Sequence, residues 1–184
     1  MVALLGICGS LRAASLNRAL LRAVAGTLPE GAAMELLPAN GIDLPIFNSD
    51  HAHEPAGVIA LKAAIAAADG VVFAVPEYNY SIPGGLKNAL DWVSRPPPKS
   101  PLRGKPVALV GAASGMSGTI RAQAHMRNIL VYSDAPCLLQ PEVLIPRAQD
   151  RFDAEGNLTD ESTRQLLERF GVQLAAFVAH NKRA

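Results

Sequence analysis

Cysteine is nearly absent from this chain, with only Cys8 and Cys137 among 184 residues. The two lie far apart and form neither a CxxC pair nor a metal-type spacing, which leaves a disulfide framework, a dithiol centre and a zinc site without support. Both sit in apolar, strand-like runs and are expected to be reduced, buried packing residues. An excess of one charge is missing too. Seventeen Lys and Arg face sixteen Asp and Glu, a formal net charge of +1, and no basic cluster appears. Nucleic acid and an anionic membrane surface are therefore not expected as partners. No apolar run approaches the ~18 residues of a membrane span; the nearest, residues 64–75, is broken by Asp69 and Gly70. The apolar opening Met1 to Cys8 lacks a positive leading region and is better explained as a buried strand than as a signal peptide. The cytoplasm is the expected location, and the NxS/T patterns at Asn79 and Asn157 carry no weight without export. His51, His53, His125 and His180 do not recur with carboxylates at metal-ligand spacing, so no metal is expected and the histidines are taken as surface residues.

What is present is alternation. Strand-like runs at Val2 to Cys8, Met34 to Leu37, Val71 to Val75 and Pro106 to Gly111, with another inside Leu138 to Ile145, are separated by helical patterns. The first helix follows Leu16, Leu20, Val24 and Leu28. The second runs from about Pro55 to Ala68, and the third starts at Pro83 with Leu86, Leu90 and Val93 on its inner face. A fourth covers about Thr119 to Val131. Thr159 is the expected N-cap of the last, whose stripe is Leu166, Phe170, Leu174 and Phe177. Ile42 to Asn48 is expected to be a surface loop, and Arg95 to Pro101 a proline-rich break within one domain. Strict β/α alternation predicts a single α/β domain over residues 1–184. Its architecture is a three-layer α/β/α sandwich around a five-stranded parallel sheet of order 2-1-3-4-5.

In such a sheet ligands bind beyond the carboxyl ends of the strands, where the winding reverses between strands one and three. The loops there are the least generic in the chain. Gly9-Ser10-Leu11-Arg12-Ala13-Ala14-Ser15-Leu16-Asn17 enters a helix, whose free N–H groups and positive dipole end favour a phosphate. Ser10, Ser15 and Asn17 add neutral hydrogen bonds and Arg12 a charge-assisted one; the plainer alternative is that Ser and Asn only cap the helix. Pro76-Glu77-Tyr78-Asn79-Tyr80-Ser81 sets two tyrosines around an asparagine. This turn either borders a flat aromatic ligand or folds its tyrosines back as core cover. Gly111 to Gly118, with Ser114 and Ser117, is small and polar and permits close backbone approach. Competing motifs fail on spacing. GxGxxG, GxxxxGK[ST] and GxSxG are absent, and three residues separate Cys8 from Arg12 where cysteine phosphatases have five.

These segments, together with Pro83-Gly84, Leu86-Lys87-Asn88-Ala89-Leu90-Asp91-Trp92 and Gly118-Thr119-Ile120-Arg121-Ala122-Gln123, resemble the NADPH-dependent FMN reductase family. That family is flavodoxin-like and includes bacterial quinone and chromate reductases. The resemblance implies that Ser10, Arg12, Ser15 and Asn17 hold the FMN phosphate. It also implies that Pro76, Glu77, Tyr78 and Asn79 flank the isoalloxazine ring, with Ser114 nearby. NADPH or NADH would be the co-substrate, and quinones or other small oxidants such as chromate the acceptors. Assembly as a homodimer or homotetramer is implied as well, with Trp92 and Arg95 either serving an interface or packing. No side chain is needed as acid, base or nucleophile, because the flavin carries the redox chemistry. Two further readings remain: a flavodoxin-type FMN electron carrier without nicotinamide oxidase activity, and a regulatory protein that has lost flavin. The neutral charge disfavours the carrier, and the intact phosphate loop disfavours the regulator.

Overall fold

The computed structural model describes residues 1–50 and 52–182. Strand β1 (Val2–Cys8) is a continuous apolar run because helices cover both faces of the sheet. It pairs in parallel with β2 (Ala32–Leu36) on one side and β3 (Gly70–Ala74) on the other. β4 (Val107–Ala112) and β5 (Val143–Ile145) continue the sheet from β3, giving the order 2-1-3-4-5. The expected topology is observed.

Helices α1 (Leu16–Gly26) and α5 (Glu161–Asn181) cover one face. Leu20, Leu21, Val24, Phe170 and Leu174 pack there on Leu4, Val72, Val110 and Val143. The other face carries α2 (Ala56–Ala67), α3 (Gly84–Val93) and α4 (Ile120–Tyr132), with Leu61, Ile65, Leu86, Leu90 and Met126 on Leu5, Ile7, Phe73 and Leu109. Alternate residues of each strand thus feed opposite cores, as the pleat requires. Asp69, just before β3, accepts the Ala3 amide at 2.8 Å and pairs with Lys182 at 3.6 Å. The beginning of β1 and the end of α5 therefore meet at the amino-terminal edge of the sheet.

Four details depart from the sequence expectations. Residues 42–48 are irregular but not a free surface loop. Ile42 is buried, and Asn88 grips the segment through Leu44 O (3.1 Å), Pro45 O (3.0 Å) and Phe47 N (2.8 Å). Trp92 also donates to Pro45 O at 2.8 Å and meets the Phe47 ring edge-on, so its role within the chain is packing. Asp160, not Thr159, caps α5, accepting the Thr163 amide at 2.8 Å. The buried stripe of α5 is centred on Leu167, Phe170, Gly171, Leu174 and Val178, leaving Leu166 and Phe177 at its margin. Cys8 is buried, but Cys137 is only half-buried; both are free thiols. Of the histidines, His53, His125 and His180 are exposed, and His51 lies outside the described residues.

Candidate functional site

The carboxyl ends of β1, β3 and β4 open into the three loops that the sequence singled out. The first is stitched to the third strand at once, since Gly9 N donates to Ala74 O at 2.8 Å. A Cβ at Gly9 would sit 2.8 Å from Pro76 Cδ, so only glycine permits this approach. Ser10 and Ser15 are 5% and 8% exposed, with their hydroxyls inside the loop. Ser10 Oγ accepts the Arg12 amide (3.3 Å), which bends the chain. Ser15 caps α1, accepting the Arg18 amide (3.3 Å), and Cys8 Sγ lies 3.6 Å behind its hydroxyl. The first N–H groups of α1 have no intrahelical partner. Arg12 is exposed and makes no ion pair with any described residue. A tight loop with inward hydroxyls, a helix N-terminus and an unpaired guanidinium is suited to a phosphate.

Asn17 belongs to this loop but spends its side chain elsewhere. Its Nδ2 donates to Ala112 O (2.8 Å) and its Oδ1 accepts the Ala112 amide (2.9 Å), tying α1 to the end of β4. What Asn17 leaves for a ligand is its backbone amide at the second position of α1.

The loop after β3 folds into a tight turn. Tyr78 and Ser81 exchange backbone hydrogen bonds of 2.9 and 3.0 Å, and the two residues between them, Asn79 (φ 50°) and Tyr80 (φ 66°), are both left-handed, as in a type I′ turn. Asn adopts this region readily; Tyr does not. Tyr78 is exposed, and its hydroxyl lies 3.4 Å from Ser10 Oγ, joining this turn to the first loop. The tyrosines are therefore not core cover. Pro76 is buried at the base, and Asn79 is exposed at the tip.

Glu77 faces α4. Its carboxylate accepts the amides of Arg121 (3.0 Å) and Ala122 (3.4 Å) and pairs with the Arg121 guanidinium (3.0 Å). Burial pushes this carboxyl up, but the hydrogen bonds from Arg121 and from both amides outweigh it and hold the group below the usual glutamate range. Arg121 also lies over the Tyr80 ring, 4.2 Å from its centroid, and His125 Nδ1 meets Ser81 Oγ at 3.0 Å. The roles of Arg121 and His125 were not visible in the sequence, because 44 residues separate each from its partner in the turn.

In the third loop Ser114 is exposed at the mouth. The loop is held from outside by the segment after β5, through Ala113 N to Ile145 O (3.0 Å), Ala148 N to Ala113 O (2.9 Å) and Arg147 N to Gly115 O (3.0 Å). Gly118 closes it with φ 54°, where a Cβ would collide with the Leu144 backbone at 2.9 Å. Among the described residues no cluster of His, Cys, Asp and Glu could hold a metal ion, and no helix is long and apolar enough to cross a membrane.

A five-stranded parallel sheet of this order, with its polar loops at the winding reversal, defines a flavodoxin-like protein. The family model for NADPH-dependent FMN reductase matches residues 2–150, and the chain belongs to that family. It is 46% identical over 170 residues to an NAD(P)H-dependent FMN reductase of Pseudomonas aeruginosa, covering 91% of this chain and 90% of the relative. It is 41% identical over 173 residues to a 2-hydroxy-1,4-benzoquinone reductase from a Burkholderia species, covering 94% and 93%. Among solved structures it superposes on the flavoenzyme NAD(P)H:(acceptor) oxidoreductase FerB of Paracoccus denitrificans. The TM-score is 0.90 at 33% identity, with both chains fully covered.

Proposed function

We propose that this chain is an FMN-dependent NAD(P)H oxidoreductase that delivers electrons to quinones and other small oxidants, chromate included. The observation that carries the reading is the junction of the first two loops. Ser10 and Tyr78 touch, so a phosphate-suited loop and an exposed aromatic turn form one continuous surface. FMN fits the residues present: it has a dianionic end and a flat heterocyclic end, and the loops offer groups suited to each.

In this reading the hydroxyls of Ser10 and Ser15, the Arg12 guanidinium and the first amides of α1, Asn17 included, hold the phosphate. The backbone and side chains of Pro76, Tyr78 and Asn79 would border the ring, with Ser114 nearby, and Glu77 would support the turn through its contacts with α4. FMN, when bound, would supply the redox chemistry that couples NAD(P)H to the acceptor. No protein group is required to move a proton at a fixed atom. The chain's own work is to bind, orient and leave one side of the site open to both substrates.

The test is an absorption spectrum of the protein with FMN, before and after anaerobic NADPH. Bleaching by NADPH and recovery on adding a quinone are expected. A protein that takes up no FMN overturns the reading, and one whose colour persists until a separate reductase is added is an electron carrier. Arg12→Ala is expected to weaken FMN binding by about 1.5–3 kcal/mol, the contribution of a hydrogen bond to a charged group. Unchanged affinity by fluorescence titration would remove Arg12 from the site. A homodimer or homotetramer is expected by light scattering.

A further inference from the structure

We propose that Arg121, a residue of α4, is the positioning residue for the flavin-bordering turn. It holds Tyr80 in its left-handed conformation and thereby fixes the edge that Tyr78 and Asn79 present to the ring. This rests on the FMN reading above and extends it to a residue outside the two loops.

Three observations converge. First, Tyr80 has φ 66°, a region that bulky side chains avoid. Such residues persist only where surrounding contacts over-determine them. Second, beyond the Tyr78–Ser81 backbone pair that closes the turn, the Tyr80 ring is held by the Arg121 guanidinium, 4.2 Å from its centroid and well inside cation–π range. Third, the guanidinium is itself fixed. It pairs with Glu77, and the same carboxylate accepts the Arg121 and Ala122 amides, so backbone and side chain of Arg121 are both anchored to the residue that opens the turn. The Ser81–His125 contact closes the far side. The turn is therefore bracketed from α4 at Glu77, just before it, and at Tyr80 and Ser81 within it. Because α4 starts directly after the third loop, one arginine links the two sides of the site.

The experiment uses the FMN-loaded protein and compares wild type, R121A, R121K, R121M, Y80G and R121A/Y80G. The readouts are FMN affinity, the visible circular dichroism of the bound flavin, and KM for NADH and NADPH separately. R121A is expected to weaken FMN binding roughly three- to thirty-fold, the span of a cation–π contact, and to change the flavin dichroism. R121K is expected to recover part of both. Glycine adopts positive φ without help, so Y80G should restore affinity and dichroism in the R121A background. R121M keeps an apolar stem while removing the charge and the guanidinium donors to Glu77, which preserves the comparison if R121A does not fold. Wild-type affinity and dichroism in R121A and R121M overturn the proposal. So does failure of Y80G to rescue, or a loss confined to KM for NADPH, which would make Arg121 a contact for the nucleotide phosphate. A wild type that binds no FMN defeats the FMN reading instead, whereas FMN uptake by wild type with indistinguishable variants defeats only this inference.

Discussion

The Asn17 side chain joins segments 95 residues apart, and both of its polar ends are used on the Ala112 backbone. Ala112 is buried, so truncation leaves an amide and a carbonyl without partners. Asn17→Ala should destabilise the fold by about 1–3 kcal/mol, the cost of stranding buried polar groups, read as a lower urea midpoint. Asn17→Asp should be no better, since a carboxylate would face the Ala112 carbonyl. If affinity for FMN fell while the urea midpoint stayed put, the side chain would be a ligand contact and not a tie. Here the limit of sequence reading is physical. Loop membership follows from spacing, which is why Ser10, Arg12 and Ser15 could be named together. Where a side chain points depends on partners far along the chain, which hid the true neighbours of Asn17 and Glu77.

At the scale of elements, Asp160 and α5 make the instructive case. Thr159 and Asp160 are both good N-caps by type, and the helix starts one residue later than the Thr159 reading, because Asp160 bonds the Thr163 amide and hydroxyl (2.8 and 2.6 Å). Hydrogen bonds from the Thr163 and Ser162 side chains, against a smaller opposing effect of burial, hold the Asp160 carboxyl far below the usual aspartate range. The folded state therefore favours the charged form. This contribution is complete above the unfolded pKa, about 3.9, and is lost as pH falls below it. Asp160→Ala should cost about 1 kcal/mol at neutral pH, and its stability should fall less than wild type between pH 5 and 3, by chemical denaturation at each pH. Identical pH profiles would remove Asp160 as the source. The periodicity of α3 was readable because Leu86, Leu90 and Val93 all face the core. The anchoring of residues 42–48 was not, since it depends on Asn88 and Trp92 reaching across from α3.

For the whole molecule, strict alternation and the rules for parallel connections were enough to give the sheet order. The edge strand β2 was placed less well: it starts at Ala32, in a stretch whose alternate residues are exposed and therefore look unlike a buried strand. We propose that residues 1–184 form a single domain; the protein should then unfold in one transition, and FMN should raise its midpoint. At one hundred times Kd the ligand adds about 2.7 kcal/mol. Riboflavin, which lacks the phosphate, should give a much smaller shift by differential scanning fluorimetry; an equal shift would mean that the first loop does not hold the phosphate. Asp69 has a practical corollary. By gathering residues 3 and 182 onto one carboxylate, it sets two positions suited to a surface linker side by side. β1 then runs roughly 20 Å before reaching Ser10. Anchored to an electrode through either of them, the molecule would present the proposed flavin-binding rim outward.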